Sequence, residues 1–312
     1  MIVIFAKIFS VFSISLIGYA ANKIKWLPDE STKYLSLLLV NIASPCLVLY
    51  SMSQQEWNRE TVTSVIQVAG LMLLALATAT LIASLAVRIM KAPAADRGVY
   101  QAALVLTNCG FMGFPLALAV FGDKGLFLMI IANAVFTVYT YSAGVLMLLS
   151  GRDEKLTVRA AVKSILSIPV VTSVIGLLIF VFGIPLPDLL VNFLDTVGGI
   201  TIPLSMIIIG IQLAESRVRE VLVNRHIYEM IVLRLAVFPA ILFGLFLWLP
   251  VNTLVFCIVI FAMAMPSAAI TPVLSEIYGV NAKLAAQVVF ITTMCSLISI
   301  PIYAMILYRL LE

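Results

Sequence analysis

The sequence predicts an all-α polytopic membrane protein. Ten transmembrane helices are expected as two inverted five-helix repeats, with the fourth and ninth helices broken and crossing. Three observations carry this expectation. Hydrophobic residues make up 63% of the chain and charged residues 11%, with mean hydropathy +1.16, whereas soluble domains sit near 45–50% apolar and about 25% charged. Two of the long apolar runs are interrupted by glycine and proline, which a continuous helix does not keep. The landmarks around those interruptions recur at an offset of half the chain length.

Composition settles the solvent first. A soluble chain this apolar would have no surface to present to water, and the alternating pattern of a transmembrane barrel is missing, so the spans are helical. Requiring roughly 17–25 mostly apolar residues per crossing gives spans at about 2–22, 32–53, 62–87, 99–121, 125–149, 164–183, 190–214, 227–249, 252–275 and 281–308. The uncharged stretch from Leu235 to Ser275 is too long for one crossing and divides at Leu249-Pro250-Val251-Asn252. The first run lacks a basic leader and a cleavage site and continues into Asn22-Lys23-Ile24-Lys25, so it reads as a span.

Basic residues orient the spans. The loops between spans 1–2, 3–4, 5–6, 7–8 and 9–10 hold 14 of the 19 Lys and Arg residues, Arg217 and Arg219 among them. The opposite side holds Lys7, Arg59, Lys124 and Arg309. That bias places the odd-numbered loops in the cytoplasm and both termini outside it, in the cell inner membrane. The net charge of +4 belongs to this asymmetry and implies no nucleic-acid surface. Residues 1–150 form the first repeat and 164–312 the second, joined by a charged cytoplasmic connector at 151–163 that carries no soluble domain. Five spans per half is odd, so the second half enters from the other side and the repeat is inverted.

The break in the fourth span is Thr107-Asn108-Cys109-Gly110-Phe111-Met112-Gly113-Phe114-Pro115. Glycine in a helix interior costs roughly 1 kcal/mol relative to alanine and proline about 3 kcal/mol. Pro115 also leaves the carbonyl of Phe111 without its usual donor. Unwound backbone survives at mid-membrane only where protein or a wet cavity covers it. Paired broken helices in corresponding positions of two halves mark the ligand site of secondary transporters. The second break is Met265-Pro266-Ser267-Ala268-Ala269-Ile270-Thr271-Pro272. Pro115 and Pro272 are 272 − 115 = 157 apart, Gly122 and Gly279 are 279 − 122 = 157 apart, and Pro45 and Pro203 are 203 − 45 = 158 apart.

Inversion lets the two breaks cross near the bilayer centre. Half-helix N-termini suit an anion and exposed carbonyls at C-termini suit a cation, so the crossing supplies an electrostatic site without side-chain charge. The candidate ligand-lining residues are Asn108, Cys109, Gly110, Gly113, Ser267, Thr271 and Asn41. Pro115, Pro266, Pro272 and Pro45 shape the crossing. Asn133, Thr137, Thr292 and Thr293 on spans 5 and 10 are explained at least as well by helix packing.

The Asn108-Cys-Gly-Phe-Met-Gly-Phe-Pro115 run followed by Phe121-Gly122 resembles the auxin efflux carrier family of membrane transport proteins. Pro266-Ser-Ala-Ala-Ile-Thr-Pro272 before Tyr278-Gly279, and Asn41-x-x-x-Pro45, carry the same resemblance over essentially the whole chain. It implies the inverted-repeat fold of bile-acid and sodium/proton transporters. Spans 1, 2, 6 and 7 would form a scaffold, and spans 3–5 and 8–10 a transport domain moving as an elevator. By position, Asn108 matches the family's crossover asparagine, and Pro115 and Pro272 its crossover prolines.

Other residues bound the chemistry. The cores of spans 4, 5 and 9 contain no Asp or Glu, which leaves no proton relay or Na⁺ ligand, so the expected cargo is a small organic anion, a carboxylate, without tight cation coupling. A Na⁺- or H⁺-coupled carrier of the same fold is the alternative. Arg234 lies about two turns into span 8 and is expected to snorkel to the cytoplasmic interface, with attraction of an anion to the pocket as the sharper reading. The four cysteines have no metal-ligand spacing, and neither a metalloprotease motif nor a nucleophile elbow is present, so no enzyme, metal or cofactor is expected. The expected partners are the anion and the lipid bilayer, with room for a homodimer.

Overall fold

The computed structural model describes residues 2–28, 30–150, 167–215 and 225–312. The connector expected at 151–163, and Arg217 and Arg219 of the following basic loop, lie outside the described residues. Within them the chain is helical, apart from turns and one two-residue bridge at its centre.

The first helix, α1, is Ile2–Lys23. Span 2 is α2 (Ser31–Leu38) and α3 (Ser44–Ser53), joined through a π-turn at Leu39–Ala43. Pro45 explains that turn. A proline ring collides with the carbonyl four residues back, here that of Asn41, and removes a donor; widening the preceding turn relieves both. The same device recurs in span 8, where α11 (Arg225–Val232) passes through a π-turn at Leu233–Val237 into α12 (Phe238–Phe246), with Pro239 in the same relative place. Span 3 is α4, Arg59–Ile89, capped by the Asn58 side chain on the Thr61 amide at 2.8 Å.

The fourth predicted span is α5 (Arg97–Val105), an unwound segment, and the first turns of α6 (Gly113–Tyr139). Gly122, at φ 69° and ψ −163°, folds α6 back on itself, so its remainder is span 5, which ends through a π-turn at Thr140–Gly144 into α7 (Val145–Leu148). Span 6 is described from α8, Ile168–Phe182. Span 7 divides at Gly198 into α9 (Asp188–Gly198) and α10 (Thr201–Glu215). Span 9 is α13 (Thr253–Ala264), a second unwound segment and α14 (Ile270–Ile277), and span 10 is α15, Ala282–Arg309.

Seven of the described helical stretches are long and apolar enough to cross a membrane. The predicted spans that are not among these seven stretches are 4 and 9, which are broken, and 6, which is described only from Ile168. Outward faces carry large apolar side chains such as Phe9, Leu81 and Ile298, which suits lipid and not water. The protein is a multi-pass membrane protein.

Packing follows two groups. Helix α1 lies on α10 with the backbones in contact: a Cβ at Gly18 would strike the Ile207 carbonyl, and one at Gly210 the Ser15 carbonyl. Glycine is required at both positions for this close approach. Helix α3 packs on α8 and α9, where a Cβ at Gly198 would sit 2.7 Å from the Leu47 nitrogen. In the second group α4 packs on α5, α6 and α13, and α14 packs on α15. Every residue from Val255 to Ala264 of α13 is buried, as expected of a helix that is apolar on all sides. The broken helices therefore occupy the centre of their group.

Candidate functional site

The two unwound segments bind each other. Leu106 and Met265 leave their helices in extended conformation (φ −73°, ψ 123° and φ −62°, ψ 154°). Thr107 and Ser267 then pair as an antiparallel bridge. The Asn108 amide donates to the Pro266 carbonyl at 2.9 Å, and the Ala268 amide to that of Leu106 at 2.9 Å. Side chains repeat the exchange: Ser267 Oγ donates to the Ala103 carbonyl at 2.7 Å, and Thr107 Oγ1 donates to that of Ala262. Each broken helix thus fills carbonyls that the other's ending leaves vacant. In a membrane these groups have no water to turn to, and mutual pairing answers the cost of unwinding.

The prolines act differently from the simple expectation. Pro115 and Pro272 are each the third residue of the second half-helix, α6 and α14. In a first turn the missing N–H costs nothing, and the fixed φ favours the helix. They start the second halves, and the breaks lie just before them.

Beside the crossing is a cavity of about 1050 Å³. Three of the seven predicted lining residues meet in it: Asn41 from the π-turn of span 2, and Asn108 and Gly110 from the break. The other four do not line it. Cys109 is buried and its thiol donates to Asn133 Oδ1 at 3.2 Å. Gly113 packs against Met129, and a Cβ there would lie 3.3 Å from that sulfur. Ser267 is spent on the Ala103 carbonyl, and Thr271 is buried on α14.

Span 5 supplies residues that, on sequence alone, helix packing explains at least as well as function does. Asn133 and Thr137 line the cavity, with Thr140 and Tyr141 further along. Their spacing of i, i+4, i+7 and i+8 draws one polar stripe on an otherwise apolar helix, and that stripe was the available signal. Thr201, at the opposite wall, and Thr140 are buried with hydroxyls that have no partner among the described residues. Phe111, Phe114 and Phe136 make the surface mainly apolar. None of the described residues lining the cavity is charged.

The electrostatic character comes from backbone and from one side chain behind it. The amides of Gly110, Phe111, Ala269 and Ile270, at the starts of α6 and α14, have no acceptor among the described residues, and all four residues line the cavity. These are the positive ends of two half-helices. Behind the crossing lies Arg234. The expectation that it snorkels is overturned: it is 0% exposed, because its π-turn packs against α5, α13 and α15 and no path to the interface remains. One nitrogen, Nη1, donates to the Leu104 carbonyl at 3.2 Å, while Nε and Nη2 have no partner among the described residues.

A second cavity of about 590 Å³ meets the first at Ala269. Its walls include Gln212 and Glu215 of α10 and Lys283 and Gln287 of α15, and Thr32 Oγ1 donates to Glu215 Oε1 at 3.2 Å.

Residues 3–304 match the family described as Membrane transport protein. An uncharacterized transporter of Methanothermobacter thermautotrophicus is 24% identical over 305 residues, covering 96% of this chain and 97% of the relative. An uncharacterized transporter of Methanocaldococcus jannaschii is 26% identical over 298 residues, covering 94% of this chain and 95% of the relative. Both similarities cover nearly the whole chain. A family match over nearly the full length, on a helical membrane chain folded around such a cavity, identifies this chain as a member of the membrane transport protein family, whose members are transporters and not enzymes.

Proposed function

We propose that the chain is a secondary transporter carrying a small organic anion, a carboxylate with an apolar body, across the cytoplasmic membrane by an elevator motion. The observation that carries the reading is the pairing of two broken helices beside an uncharged cavity, lined by four residues whose amides have no acceptor among the described residues. Such amides hold a carboxylate without a charged side chain, and Asn108 and Asn133 offer further donors. The phenylalanine-rich walls suit an apolar body better than a compact dicarboxylate. Residues of the cavity fall on both sides of one seam. Asn41, Ile168 and Thr201 belong to the group of α1–α3 and α8–α10, whereas Asn108, Asn133 and Ala269 belong to the group of α4–α7 and α11–α15. A site on a seam is what alternating access by sliding requires.

Ten crossings in two inverted repeats are part of the same reading. The positive-φ glycines Gly122 and Gly279, 157 residues apart, and the reciprocal bonds at the bridge support it. With the orientation given by the basic loops, both cavities lie in the cytoplasmic half, an inward-open arrangement. The described residues that line the cavity carry no charged side chain, and on this reading the membrane potential is the driving force.

The test is thermal unfolding of the purified protein with mono- and dicarboxylates of increasing apolar size, since a ligand that prefers the folded state raises stability by mass action. Monocarboxylates with an apolar body should stabilise most, and uptake of the best one into proteoliposomes should need no ion gradient. Stabilisation by none of them, or strict dependence of uptake on Na⁺ or pH, would overturn the reading.

A further inference from the structure

Arg234 is unlike every other charge in the described chain. It is wholly buried, its guanidinium donates to the Leu104 carbonyl, and two of its nitrogens have no acceptor among the described residues. The ion pair of His226 with Glu229 at 2.8 Å lies on α11 before the π-turn, and Glu229 is 40% exposed there. Among the described residues Arg234 has no carboxylate partner. Burying an ion without a counter-ion is among the costliest arrangements a protein keeps, and an apolar side chain of similar volume would be more stable. A purely structural need for a donor to the Leu104 carbonyl does not account for it: at the same crossing Ser267 and Thr107 satisfy carbonyls with uncharged hydroxyls.

Position suggests what the charge is for. Leu104 is in the last turn of α5, so Arg234 sits at the negative end of that half-helix, where a cation is favoured. The positive ends of α6 and α14 open on the opposite side, into the cavity. Cys109, adjacent to the cavity-lining Asn108, lies within electrostatic range of Arg234. Arg234 is enclosed in packed protein, through which a charge is screened far less than through water.

We propose that Arg234 is the fixed positive charge that makes the cavity select anions, acting through the crossing from behind without touching what binds. It is a specificity-determining residue placed outside the site. The proposal rests on the cavity being the substrate site, and its test does not depend on which substrate is carried.

The experiment places a reporter thiol in the cavity at Thr137→Cys, in protein whose four native cysteines are replaced. The rates of modification by sulfonatoethyl and trimethylammonioethyl methanethiosulfonate are compared, each divided by its rate with a free thiol. With Arg234 present the anionic reagent is favoured. Arg234→Met and Arg234→Gln should each lower the anionic-to-cationic ratio by on the order of tenfold, while Arg234→Lys keeps it. The neutral variants should also unfold at a higher temperature than the parent, because an uncompensated charge has gone. An unchanged ratio in the folded neutral variants would overturn the proposal. So would an equal loss in Arg234→Lys, which would make shape the determinant. Failure of both neutral variants to fold while Arg234→Lys folds would overturn it too, since the charge would then be holding structure. A carboxylate screen that finds no ligand bears on the function and leaves these rates to be read on their own.

Discussion

At the scale of single residues, the crossing separates side chains that hold it together from those free to bind. Thr107 and Ser267 belong to the first kind. Each hydroxyl reaches across the bridge to a carbonyl of the other broken helix. Interhelical hydrogen bonds in membranes are worth about 0.6 kcal/mol on average and up to about 1.7, and leaving a buried carbonyl unmet raises the cost towards 1–3 kcal/mol. Thr107→Val and Ser267→Ala should therefore each lower stability by about 1–2 kcal/mol in thermal or denaturant unfolding. Asn108 belongs to the second kind: its backbone is committed to the Pro266 and Gly113 pairings, but its side chain faces the cavity. Asn108→Ala should leave the unfolding temperature without ligand nearly unchanged and remove the carboxylate-induced shift. An intact shift would take Asn108 out of the binding role. Sequence distinguished these two kinds only in part. It marked Asn108 and Ser267 alike, because a residue's neighbours along the chain do not say which way a broken backbone turns its side chain.

At the scale of elements, what the chain disclosed in advance was the location of each interruption, and what it withheld was the mechanism of each. Glycine and proline clusters inside apolar runs pointed to both breaks and to the bends at Pro45 and Pro203. Placing Pro115 within a helix, however, treated it as the breaker, whereas the pairing of Leu106–Asn108 with Pro266–Ala268 is what makes unwinding tolerable. That pairing is a contact between segments some 160 residues apart and leaves no local trace. The π-turns were hidden for the same reason, although a proline two residues beyond each of two of them is now a readable cue. The bends themselves are testable. Gly122 adopts a backbone region open essentially to glycine alone, and nothing lies within 4 Å of where a Cβ would stand, so the cost of Gly122→Ala is backbone strain without a clash. It should destabilise by about 1–3 kcal/mol. Gly18→Ala instead forces two backbones apart, and its cost of about 1–3 kcal/mol should be joined by a loosened contact of α1 with α10, visible as faster amide exchange in both helices. If Gly122→Ala is silent, the fold-back of α6 does not depend on that residue.

At the scale of the whole molecule, under the proposed elevator motion a buried arginine in the moving group would change how the carrier responds to voltage. Arg234 lies on the π-turn that packs with α5, α13 and α15, so in an elevator cycle it travels with the crossing. Empty, the buried centre of that group would hold one positive charge with no carboxylate partner among the described residues; loaded with a monoanion, that centre would be neutral. Moving one charge through the full membrane potential is worth about 2.3 kcal/mol per 100 mV, and that work falls on the empty group alone. With the cytoplasm negative, the proposed cycle would draw the empty site back to face inward and let the loaded site cross indifferently, so that it would expel the anion. Two assays in proteoliposomes separate the steps. Net efflux, which needs the empty return, should accelerate several-fold when the interior is made more negative with potassium and valinomycin. Exchange of labelled for unlabelled carboxylate, saturating on both sides, uses only loaded crossings and should not respond. In Arg234→Met the assignments swap: the empty group becomes neutral and the loaded group carries the anion's charge, so exchange acquires the voltage sensitivity and the empty return loses it. Equal sensitivity of exchange and net efflux in the parent protein would show that Arg234 does not move through the field with the site.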